Sequence, residues 1–114
     1  MNRITLFAAL CLLACSALAE PDASAAAQAA VQALGQLNGQ ALACRQMAVS
    51  AQSKSLMIKH APKTRRYGEI FEEATNDAYL EQGKDQDTCL KPAEFAARLS
   101  ELSARLQATL PAAQ

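Results

Sequence analysis

From Ala30 onward, apolar or small residues recur at steps of four and three: Ala30, Leu34, Leu37, Ala41, Cys44, Ala48, Ala51 and Ile58. That period places them on one stripe of an α-helix, and Leu42, Val49 and Leu56 widen the stripe on one side. Asp22 and Ser24 can cap the start, ahead of an alanine-rich run that loses little side-chain entropy on becoming helical. Gly35 and Gly39 interrupt the run, and Asn38-Gly39 is a turn signal. Because the phase is the same on both sides, the pattern predicts one helix, continuous or bent at Gly35 to Gly39, that Pro62 stops.

Two further helices follow. Thr64 can cap a helix from about Arg65 to Gln82, with Tyr67, Ile70, Phe71, Ala74 and Ala78 on one face and Gly83 placed as its C-terminal cap. Pro92 suits the first turn of another, in which Phe95, Leu99, Leu102, Leu106 and Leu110 form the apolar seam. Glu94 with Arg98, and Glu101 with Arg105, are i,i+4 pairs in the favourable orientation. No strand alternation occurs. The expected fold is all-α, a small antiparallel bundle of three to four helices.

The first residues carry a different pattern. Arg3, an apolar run from Ile4 to Leu13 and Ala17-Leu18-Ala19 have the parts of a secretion leader. The run falls short of the roughly 20 apolar residues that span a bilayer. Residues 1–19 are therefore expected to be removed and 20–114 to form a single helical domain, located in a periplasm or secreted. The alternative is a lipoprotein anchored at Cys15, since Leu12-Leu13-Ala14-Cys15 resembles a lipobox.

Removing the leader takes two of the four cysteines with it and leaves Cys44 and Cys89. A single pair in an oxidising compartment is expected to be a disulfide, and no Cys-x-x-Cys spacing or adjacent base marks it as catalytic. A hairpin turning near Lys63 sets residue 44 level with about residue 83, from which a short loop returns Cys89 to Cys44. Residues 24–43 then extend past the bundle, either folding back or pairing with a second copy as a homodimer.

Charge enters last and is segregated along the chain. Arg45, Lys54, Lys59, Lys63, Arg65 and Arg66 occur with no acid between Asp22 and Glu69; then Glu69, Glu72, Glu73, Asp77, Glu81, Asp85 and Asp87 follow, with only Lys84 opposing them. Glu69, Glu73, Asp77 and Glu81 lie four apart on one helical ridge, a possible partner or cation surface whose mutual repulsion Lys59 and Lys54 are expected to relieve across the hairpin. Lys63, Arg65 and Arg66 at a helix start suggest an anion site. His60, the sole histidine, is expected to cap a helix end, and it lacks companions for a zinc site.

With the leader gone, ten basic side chains face eleven acidic ones, so no global charge favours nucleic acid. Neither a nucleophile elbow nor a phosphate loop occurs, so no enzymatic activity, cofactor or bound metal is expected, and no integral membrane span after leader removal. The expectation is a small exported, non-enzymatic binding or inhibitor-like protein with an envelope protein as partner. The alternative is an acid- or stress-responsive chaperone switched by protonation of the acidic ridge.

Overall fold

The computed structural model describes residues 23–111. The expected leader and Cys15 lie outside them. Four helices and one short 3-10 turn account for nearly all of the described chain: α1 (Ala23–Ala43), α2 (Met47–His60), α3 (Arg65–Gly83), the turn Gln86–Thr88, and α4 (Pro92–Thr109). No strand occurs among the described residues.

The long stripe that begins at Ala30 is divided between two helices, and the division is not at the glycines. α1 runs unbroken through Gly35, Asn38 and Gly39 and ends at Ala43. There the Gln46 N–H donates to the Ala41 carbonyl at 2.7 Å and the Arg45 N–H to the Leu42 carbonyl at 3.3 Å. These two bonds form a Schellman ending, with Arg45 at φ 60° in the left-handed position usually taken by glycine. Residues 24–43 therefore neither project nor fold back on themselves.

α3 and α4 begin and end close to where the sequence places them. The Thr64 hydroxyl accepts from the Tyr67 N–H, and Pro92 occupies the first turn of α4. Gly83 is the last residue of α3 and has no positive φ, so it does not act as a left-handed cap.

Each helix reverses the direction of the one before. Gly35 lies against Phe71 and Ala74, and Gly39 against Thr75 and Ala78, so α1 and α3 run parallel and touch directly. The Cys44–Cys89 disulfide, with 5.8 Å between Cα atoms, joins the end of α1 to the approach of α4, which runs back along α1. His60 and Leu110 meet at the C-terminal ends of α2 and α4, which are therefore parallel.

α1 is the central helix. It packs against α2, α3 and α4, whereas α3 has no extended interface with either α2 or α4. The core is filled by Val31, Leu34 and Leu37 of α1, Val49 of α2, and Phe95, Leu99, Leu102 and Leu106 of α4. This arrangement corrects the expected α2–α3 hairpin: α3 leans on α1 alone. It also places the apolar stripe of residues 24–43 inside the bundle, where it is covered by the chain itself and not offered to a second copy.

Candidate functional site: a groove between α1 and α3

The side of α1 that reaches solvent beside α3 carries Gln28, Gln32, Gln36 and Gln40, one residue per turn. They are the polar counterpart of the buried stripe: a helix whose apolar residues recur every three to four positions leaves a second ridge of the same period facing out. Across from them stand Glu73, Asp77 and Glu81 of α3, also one per turn. Since α1 and α3 are parallel, the two ladders run side by side and enclose a groove of about 970 Å³.

Close approach of the two helices sets the depth of this groove. A Cβ on Gly35 would lie 2.6 Å from the Phe71 carbonyl oxygen and 2.8 Å from the Ala74 Cβ. On Gly39 it would lie 2.8 Å from the Ala78 Cβ and collide with the Thr75 carbonyl oxygen. Asn38 locks the register from inside the core: its amide Nδ2 donates to Thr75 Oγ1 at 3.2 Å, and its Oδ1 accepts from Ser50 Oγ at 2.7 Å. One buried side chain thus ties α1 to both α3 and α2. The turn signal Asn38-Gly39 is in fact a helix-packing motif.

The acidic ridge is only partly in the groove. Glu73, Asp77 and Glu81 line it together with Asp85, while Glu69 does not. Basic groups stand at its two ends, Arg66 and Lys84. Lys84 and Glu81 form an exposed pair at 3.1 Å, the only ion pair among the described residues. The expected pairs Lys59–Glu69 and Lys54–Glu73 do not form: α2 and α3 have no extended interface, and Glu73 faces the groove beside α1 while Lys54 faces the other side of α3; nor do Glu94–Arg98 and Glu101–Arg105 form. Neither Glu73 nor Asp77 has a cation within ion-pairing distance among the described residues.

The other predicted groups disperse. Lys63 is turned back onto α2, its Nζ donating to the Ile58 carbonyl at 2.7 Å. Arg65 is exposed, and only Arg66 reaches the groove, so Lys63, Arg65 and Arg66 do not assemble an anion site. His60 is buried with Nδ1 2.6 Å from the Leu110 carbonyl. A carbonyl can only accept, so that nitrogen carries the proton and the ring caps the end of α4. Among the described residues no three His, Cys, Asp or Glu side chains converge as a metal site. No described helix is long and apolar enough to cross a membrane.

What sequence reasoning missed is the glutamine ladder. Its spacing was visible, but uncharged amides on an outer face carry no chemical signal until the opposite wall is known. Arg98, Glu101 and Arg105 of α4 line a smaller hollow that shares Gln36 and Gln40, so the α4 side of the ladder is basic where the α3 side is acidic. Comparison with protein-family models, curated proteins and solved structures finds no match to this chain.

Proposed function

We propose that the protein is a non-enzymatic binding protein of the cell envelope that holds a basic polypeptide segment in the groove between α1 and α3. The observation that carries this reading is the pairing of the two ladders. Gln28, Gln32, Gln36 and Gln40 supply amides that both donate and accept, and Glu73, Asp77 and Glu81 supply charge that the chain leaves largely uncompensated. Rungs four residues apart on a helix repeat about every 6 Å, close to the repeat of alternate side chains along an extended segment. A lysine- or arginine-bearing segment laid along the groove relieves the repulsion among the carboxylates and finds hydrogen-bond partners for its backbone.

An oxidising compartment is supported by the Cys44–Cys89 bridge and by the leader-like pattern of residues 1–19. The alternative, an acid- or stress-responsive chaperone switched by protonation of the acidic ridge, lacks the support of lysine–carboxylate pairs between α2 and α3, none of which forms among the described residues. The test is fluorescence anisotropy of a labelled Lys/Arg-rich peptide titrated with the oxidised protein. Binding is expected to saturate, to weaken with added salt, and to fall by about tenfold in the Glu73→Gln, Asp77→Asn double variant. Absence of saturable binding, or binding indifferent to that double variant, removes the reading.

A further inference from the structure

On the opposite side of α3 lies a second cleft, and its chemistry differs from that of the groove. α2 and α3 both rest on α1 without packing on each other, leaving a hollow of about 560 Å³ between them. Asn38 and Leu42 of α1 form the floor. Lys54 stands on the α2 wall, and Phe71, Glu72 and Tyr79 on the α3 wall.

Of the large apolar side chains left exposed among the described residues, one lines this cleft and two stand on the outer face of α2 beside it. Tyr79 lines it at 48% exposure, while Met47 at 60% and Ile58 at 71% share the face of α2 that carries Lys54, at spacings of seven and four. The fourth, Leu80, follows on the outer side of α3. Gly68 lies along the same edge of α3. It shares a face of α3 with Glu72, Thr75 and Tyr79, weakens the helix it sits in, and has nothing within 4 Å of where a Cβ would point. Gly35 and Gly39 are explained by contacts within the chain; Gly68 is not.

We infer that a second copy of this chain covers the α2–α3 cleft, related by a two-fold axis parallel to the helices. Such an axis sets α2 of one copy against α3 of the other, antiparallel and at the same height. The register follows from contacts already described. Lys54 and Glu72 line the same level of the cleft, so each Lys54 meets the partner's Glu72. One turn below Ser50, Met47 is level with the partner's Tyr79; one turn above Lys54, Ile58 is level with the partner's Gly68. Charge complementarity selects this occupant. α2 contains no acid and presents Lys54, while the cleft edge of α3 carries Glu72, so the two walls are self-complementary and a two-fold axis sets each against its opposite. The isologous geometry repeats every contact twice. The open space over Gly68 leaves room for the second copy's Ile58 side chain. This surface lies on the far side of α3 from Glu73 and Asp77, so the inference stands apart from the peptide-binding groove.

Sedimentation equilibrium on the purified, oxidised protein tests it. A reversible dimer is expected, with a dissociation constant raised about tenfold by Lys54→Glu and likewise by Glu72→Lys, and restored to near the parent value when both are combined. Gly68→Gln introduces no clash within the chain, so its helical circular dichroism and unfolding midpoint should match or exceed those of the parent while dimerisation is lost. A protein monomeric at every concentration up to about 1 mM overturns the inference. So does a dimer that survives Gly68→Gln, or one that the combined charge swap fails to restore.

Discussion

Gly35 and Gly39 are spaced by one turn, and so are the residues they meet, Ala74 and Ala78. Small residues on both helices let the backbones approach, which converts what looks like a weak point in α1 into its tightest contact. The consequence is an inversion of helix propensity. Alanine exceeds glycine by about 1 kcal/mol in an exposed helix. Gly39→Ala should nonetheless destabilise the protein by about 1–3 kcal/mol net, because the obstructing atoms are the Thr75 carbonyl and the Ala78 Cβ rather than a movable side-chain end. Gly83→Ala, with nothing within 4 Å, provides the control and should be neutral or slightly stabilising. Urea unfolding of the two variants decides the matter: equal midpoints would mean that α1 and α3 are not held this closely. The same contact explains Asn38. With backbones so near, its amide spans to Thr75 and Ser50 without a water between, and no buried side-chain polar atom among the described residues is left unsatisfied.

At the scale of helices, legibility followed the local signals. α3 and α4 were readable to within a residue or so because Thr64 and Pro92 act on the backbone next to them, through a hydroxyl cap and a fixed φ. The end of α1 was not readable. Its left-handed C-terminal position is held by Arg45 where glycine is the usual occupant, and the apolar phase carries straight across the break from Cys44 to Ala48. The partner of α3 was equally hidden, since the small-residue spacing of Gly35 and Gly39 announces a close helix contact without saying which helix makes it. Half of the candidate site was legible for the same reason: charge marks the acidic ladder, and nothing marks the glutamines until α1 and α3 are known to be parallel. The irregular ending of α1 gives a prediction at this scale. A non-glycine residue in the left-handed region loses roughly 1–2 kcal/mol, and glycine returns part of that in greater unfolded-state freedom. Arg45→Gly, at an exposed position, should therefore raise stability by about 0.5–1 kcal/mol. Calorimetry showing a lower midpoint would imply that the Arg45 side chain makes a contribution that its exposed position does not suggest.

The molecule as a whole is a central helix with an uneven set of neighbours, and that unevenness defines what the disulfide does. α4 carries four core side chains, Phe95, Leu99, Leu102 and Leu106, and packs on both α1 and α2, so it does not need a covalent bond to stay in place. α3 is attached along one face only, and the chain that follows it, residues 84–88, is exposed. The bridge from Cys44 to Cys89 closes a loop with a sequence separation of 45 that contains all of α2 and α3. Anchoring the far end of that loop beside the end of α1 holds α3 against its single partner and keeps the walls of both clefts in register. In the chain-entropy picture a loop of this length contributes about 4 kcal/mol, and measured bridges commonly deliver 2–4. Cys44→Ser combined with Cys89→Ser should thus lower the unfolding free energy by about 2–4 kcal/mol and increase the denaturant slope, because the unbridged unfolded chain exposes more surface. Hydrogen exchange should show where the loss is felt. Protection is expected to fall furthest in the C-terminal half of α3 and least in α4, whose apolar seam is independent of the bridge. A uniform loss across all helices would show that the bundle opens as one unit, with α3 bound to α1 as firmly as α4 is.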